Sequence, residues 1–239
     1  SVLISQGNYE EALIYFKDAQ EILENESQDS TTLVKVYNNI GIIFHDLENF
    51  EKANNYYSKA LTIARQNHLV FDEEMLLFNI GNLLVTQNKH QEAIAFYEKS
   101  KEIRIDNGMS IGSSLLVLGN CYFYIGEYTI SEDLLFKAVN LLVGTEDESY
   151  LNQAYLYLAK LYKQINQLDK ALSFTLKSVN TINEIENNHN VINAFVEIIE
   201  LSFVLEKYEM AQEYTSKLRV LQDSLYKEDV IIKVHEIES

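Results

Sequence analysis

The chain has no proline, a single cysteine, and only 19 basic residues against 36 acidic ones. Without proline, the helix stops have to be read from other breakers, chiefly asparagine and glycine between units. One cysteine, Cys121, excludes an intrachain disulfide framework and leaves the compartment open, cytoplasmic or extracytoplasmic. Its neighbours Val117, Tyr122 and Phe123 mark it as a small core residue rather than a reactive thiol. No apolar run is long enough to span a bilayer, and the first residues given do not read as a signal peptide, which says little for a chain expected to be cut from something longer. The net charge of −17 repels phosphate backbones, which argues against nucleic acid as a partner of this segment. A basic partner and plain solubility are both compatible with it.

Catalytic signatures are also scarce. His45, His68, His90, His189 and His235 are dispersed, and none pairs with a cysteine or carboxylate at metal-ligand spacing. Each glycine is explained by a turn or a helix-packing position, so no phosphate-cradling loop is left. Glu10-Glu11 and Glu73-Glu74 fall at helix starts, where the macrodipole favours solvated carboxylates. The reading is a non-enzyme, with no cofactor and no metal. At 47% hydrophobic and 23% charged, the chain still builds a continuous core.

What is present is a beat. Ala12, Ala53, Ala93, Ser131, Ala171 and Ala211 follow one another at 41, 40, 38, 40 and 40 residues. Each sits in a worn copy of one phrase: Gly7-Asn8-Tyr9-Glu10-Glu11-Ala12, Glu48-Asn49-Phe50-Glu51-Lys52-Ala53, Asn88-Lys89-His90-Gln91-Glu92-Ala93. A fixed period of this size predicts stacked helix pairs in a single elongated domain, because no one pair can bury its apolar face alone. In the clearest copy Tyr37, Ile40, Gly41 and Phe44 share a helical face, and Ala53, Tyr56, Tyr57, Ala60 and Leu61 follow on a second helix. Gly41, Gly81 and Gly119 hold one position, filled by Ala159 and Ile199 further on. With Ala53, Ala93, Ala171 and Ala211 they predict a close crossing of paired helices. Glycine inside a helix costs about 1 kcal/mol against alanine, so packing must offset it.

The predicted helices are 8–25, 31–46, 50–66, 72–87, 91–106, 111–125, 128–143, 148–164, 168–186, 190–205 and 208–224, with no strand. Stops are read at Asn67-His68, Asn107-Gly108, Gly144-Thr145 and Asn187-Asn188, and N-caps at Asp72, Ser110 and Asp147. Ser1 to Gln6 reads as the tail of a helix, so the chain is expected to be part of something longer.

The run Tyr37…Ile40-Gly41…Phe44…Ala53…Tyr57…Ala60 resembles the tetratricopeptide repeat signature. So do Leu77…Ile80-Gly81…Leu84…Ala93…Tyr97…Ser100, Leu115…Leu118-Gly119…Tyr122…Ser131…Leu135…Ala138 and, more weakly, Tyr155…Leu158-Ala159…Tyr162…Ala171. The resemblance implies an all-α, right-handed α-solenoid of antiparallel helix pairs, with 11 to 12 helices. It places an array over 1–223, as a half repeat 1–25 and repeats 31–66, 72–106, 111–143, 148–186 and 190–223. A capping or connector helix over 224–239 follows. The missing proline and the longer period separate it from short-period arrays and resemble the sensory arrays of bacterial signalling proteins. The exit segment Leu221 to Glu228 resembles the stretch leading to a transmembrane segment, kinase, cyclase or DNA-binding output domain. Leu218, Leu221, Leu225 and Ile232 form a stripe compatible with a coiled-coil dimer contact or with a cap.

In such arrays the first helix of each pair lines an inner groove. That implies a peptide- or protein-binding surface containing Asn38, Asn39, Asn79, Asn82 and Asn120, with Phe78, Phe123, Tyr124, Tyr157 and Lys160. An amide both donates and accepts, so an asparagine ladder can hold a peptide backbone; it can equally hydrogen-bond neighbouring helices. Ile42, Ser113 and Val117 stand where a carboxylate clamp needs an asparagine and basic residues, so that clamp is not expected. A free-standing scaffold and an intracellular receptor for a signalling peptide remain as alternatives to the sensor reading.

Overall fold

The computed structural model describes residues 8–26, 29–145, 148–181 and 188–238. The readings placed on Ser1 to Gln6, Asp147 and Asn187 lie outside them, as do the side chains of Leu225 and Ile232. Eleven helices and no strand appear among the described residues: α1 (Tyr9–Glu26), α2 (Ser30–Asp46), α3 (Phe50–Gln66), α4 (Val70–Thr86), α5 (His90–Asp106), α6 (Gly112–Tyr124), α7 (Tyr128–Leu142), α8 (Glu148–Gln164), α9 (Leu168–Val179), α10 (Asn188–Val204) and α11 (Tyr208–Glu238). The fold is the all-α solenoid of helix pairs. Two predicted ends differ. Helix α9 stops at Val179 instead of 186, and α11 runs through residue 224 without a break. No described helix is long and apolar enough to cross a membrane.

The chain divides into two compact units, Ser1–Glu127 with α1 to α6 and Tyr128–Ser239 with α7 to α11. Within each, consecutive helices pack against one another, and in the first unit α2 also lies directly against α4.

The turn inside each pair explains the repeated phrase. Glu48, Asn88, Gly126, Asn166 and Glu206 all adopt positive φ, between 55° and 86°. Each ends a helix in the left-handed conformation. The next residue's N–H then reaches back to the last turn, as Asn49 does to the Phe44 carbonyl (2.8 Å) and Lys89 to that of Leu84 (2.8 Å). Between pairs, His68, Gly108 and Gly144 do the same, in agreement with the predicted stops. Glycine and asparagine tolerate this conformation; glutamate and histidine carry a side-chain penalty there.

The caps differ from expectation. Asp72 sits inside the first turn of α4, behind Leu69 in the cap position, and offers its charge to the macrodipole. Ser110 stands one residue too early, since Ile111 caps α6. The side-chain caps are Asp29, accepting from the Thr32 N–H (3.0 Å), and Asn49, accepting from the Lys52 N–H (3.2 Å).

Gly41 and Gly81 are small because of a ring, not because of the alanine opposite. A Cβ on Gly41 would stand 2.6 Å from Cε1 of Tyr57, and one on Gly81 2.4 Å from Cε1 of Tyr97. Both tyrosines are fully buried, and burial drives the Tyr57 phenol pKa upward. In the second unit Ala159 holds the glycine position and Thr175 the tyrosine position, and both are buried. One more repeat on, Ile199 is half-buried and Thr215 exposed. Ala12, Ala53, Ala93, Ala171 and Ala211 are buried under these crossings.

Candidate ligand groove

In the first unit the predicted groove residues come from α2, α4 and α6. The structure separates them into two depths. Asn38 is only 5% exposed; its carbonyl accepts from Asn79 Nδ2 (2.8 Å), and its own amide points at Met75 Sδ (4.0 Å). Asn38 and Asn79 therefore tie α2 to α4. Asn39 and Asn79 are half-buried, as is Asn82, whose carbonyl accepts from the Tyr97 hydroxyl (2.6 Å). Asn120 is 7% exposed and its Oδ1 has no hydrogen-bond partner among the described residues. A buried, unpaired acceptor costs about 1–3 kcal/mol, a cost that a donor brought to it would remove.

The aromatic residues predicted for the groove each pack locally. Phe78 tilts against Tyr97 with ring centroids 5.4 Å apart. Phe123 meets the edge of Tyr124 at 5.3 Å, and Tyr124 stacks on buried His90 at 4.3 Å while remaining 47% exposed. His45 Nε2 lies 2.9 Å from Thr86 Oγ1, a second tie between α2 and α4. Burial lowers the His45 pKa below its ordinary value. In the second unit Tyr157 is half-buried and Lys160 exposed on α8. One turn along, Lys163 pairs with Glu197 of α10 (2.7 Å).

One charge was read wrongly from the sequence. Glu74 is not solvated: it is 5% exposed, accepting from Ser100 Oγ (2.7 Å) and Arg104 (3.0 Å). Arg104 also donates from Nε to the Ser110 carbonyl (2.7 Å), so one guanidinium joins α4, α5 and the segment before α6. Glu73 pairs with Arg65 at 2.7 Å. The legible signal was register, because Glu74 stands where the first repeat has Val34, an inward position. Asn152 stands there in the second unit, donating to the Ser178 carbonyl (2.7 Å). Cys121 is buried, and burial pushes its thiol pKa up to about 12, as for an inert core thiol. No group of His, Cys, Asp and Glu able to hold a metal is found among the described residues.

Models of the tetratricopeptide repeat match residues 1–66 and 76–106. Among curated relatives, outer dynein arm-docking complex subunit 4 of Danio rerio is 23% identical over 162 residues, covering 66% of the chain. The chain spans 33% of that relative's length. Among solved structures, the signal transduction ATPase (STAND) protein with a tetratricopeptide repeat sensor from Pyrococcus horikoshii superposes with a TM-score of 0.79 at 21% identity, over 92% of this chain and 34% of that one. A Rap protein complexed with competence and sporulation factor superposes with a TM-score of 0.65 at 18% identity, over 95% and 73%. At these identities the structural likeness speaks to fold.

Proposed function

We propose that this chain, a tetratricopeptide repeat protein by the models that match residues 1–66 and 76–106, is the non-catalytic sensor or interaction region of a bacterial signalling protein. It binds an extended peptide segment on the face of α2, α4 and α6. The observation that carries this reading is Asn120, a nearly buried amide whose carbonyl has no partner among the described residues, one repeat on from half-buried Asn82. A peptide backbone supplies N–H donors at regular spacing and fits such acceptors without being read residue by residue. Phe78, Phe123 and Tyr124 offer apolar contact to its side chains. The long helix α11, continuous from Tyr208 to Glu238, is the element along which a change in the array would pass to an output domain, or through which two copies would pair. The Rap protein solved with competence and sporulation factor supports the neighbouring reading, a receptor for a signalling peptide. The residues encoded on either side of the chain separate the two.

The test is thermal unfolding with peptide pools. A peptide at 100 times its dissociation constant stabilises the array by about 2.7 kcal/mol. Asn120→Ala should abolish that shift while changing the stability of the unliganded protein by no more than about 1 kcal/mol, because relief of the unpaired carbonyl offsets the small cavity left behind. Asn79→Ala and Asn82→Ala also remove partners of Asn38 and Tyr97, so they lower stability as well. A shift that survives Asn120→Ala unchanged rules the site out.

A further inference from the structure

A second site lies on the other row of helices. Between α1 and α3, with Phe44 reaching in from α2, is a cavity of about 430 Å³. Leu13, Phe44 and Tyr56 give it an apolar wall; Lys17, Lys52 and Asn55 give it donors, and Glu51 is its one carboxylate. The wall is built rather than loose, because Phe44 and Tyr56 stack with centroids 5.7 Å apart and nearly parallel. Lys17 is half-buried, hydrogen-bonded to the Tyr56 hydroxyl and to Gln20 Oε1 (3.3 Å), which fixes its ammonium at the cavity. Lys52 stands over the Phe44 ring at 5.0 Å. Neither lysine makes an ion pair among the described residues, although the chain carries 36 acidic side chains.

We propose that this cavity binds a small molecule carrying one anionic group, a carboxylate or a phosphate monoester, on a flat apolar body. The volume suits a ligand of that size. The anionic oxygens sit between the two ammonium groups with the Asn55 amide as a third donor, and the apolar body lies against Leu13 and the edges of Phe44 and Tyr56, whose faces meet each other and the lysines. A neutral ligand would leave both charges uncompensated, and a second anionic group elsewhere on the ligand would meet Glu51.

The probes are 2-naphthoate, phenyl phosphate and the neutral 2-naphthalenemethanol, titrated by heteronuclear NMR into the whole chain. At least one anion should give saturable shifts at Tyr56 and Asn55, and whichever binds more tightly identifies the anionic group. Lys52→Gln alters an exposed residue and keeps the fold. It should weaken that binding by about fivefold, the scale of one exposed ion pair. Lys17→Gln should weaken it at least as much, with the unfolding midpoint measured to show that the variant is folded. No saturable shift at Tyr56, an alcohol that binds as tightly as the anions, or Lys52→Gln without effect would each overturn the proposal.

Discussion

In the pair α2–α3 of the first unit, Tyr37, Phe44 and Tyr56 form one aromatic edge. In the pair α8–α9 of the second, Tyr155, Tyr162 and Phe174 form another, each residue 118 positions further on. Phe44 and Tyr56 stack at 5.7 Å, and Tyr162 and Phe174 at 5.5 Å. Lys52 and Lys59 cover the first set, and Lys170 and Lys177, at the same offset, cover the second. Behind these matching edges the centres differ. Gly41 faces the Tyr57 ring in one, while Ala159 and Thr175 hold those positions in the other. The neighbouring buried positions on the same two helices differ too, being Val34 and Ala60 in one, Asn152 and Ser178 in the other. What the repeat preserves at its centre is therefore a shared volume, divided differently between two helices, more than any residue type.

The largest effect should come from the inward polar position. Glu74→Ala strands Arg104 beside Ser100 without its carboxylate and should cost about 3 kcal/mol in denaturant unfolding. Asn152→Ala, at the same position in the second unit, loses a neutral hydrogen bond and should cost about 1 kcal/mol. Equal costs would mean that the two positions are not distinguished by charge.

The volume argument is tested next. Gly41→Ala drives a methyl into the Tyr57 ring and should destabilise by about 1–2 kcal/mol, even though alanine is the better helix former. Adding Tyr57→Thr reproduces the division found at Ala159 and Thr175. The double variant should be more stable than the sum of the single changes by about 1 kcal/mol, read as a double-mutant cycle. Strict additivity would break the comparison.

Smaller again is the turn. Glu48→Gly and Glu206→Gly relieve a left-handed glutamate and should each stabilise by about 0.5–1 kcal/mol. Asn88→Gly, which starts from a tolerant residue, should change stability less. Smallest is a pH effect in the first unit. Burial holds the His45 pKa below its ordinary 6.5, so the folded state binds its proton less readily than the unfolded one. Its contribution is present above pH 6.5 and is lost as the pH falls through the lowered folded value. His45→Gln should flatten that part of the stability profile.

Much of this was legible in the sequence, for physical reasons. The period, the turn phrase and the small position are local rules repeated, and repetition separates them from accident. The ring opposite Gly41 was not legible as such, since Tyr57 reads as one more inward aromatic until the helices are crossed. Glu74 misled because a glutamate near a helix start is ordinarily solvated. Only its register with Val34, and Ser100 and Arg104 four residues apart on α5, point inward. The groove amides were legible as positions but not as depths. Nothing in the sequence says that Asn38 is spent on Asn79 while the Asn120 carbonyl has no partner among the described residues.

The most direct measurement is an amide-resolved NMR titration of the chain with a peptide selected from the pools, in wild type and in Asn120→Ala. The proposed groove requires side-chain amide shifts at Asn79, Asn82 and Asn120 in wild type and loss of binding in the variant. Binding that shifts only α1, α3 and α5, or that persists undiminished in Asn120→Ala, would contradict it.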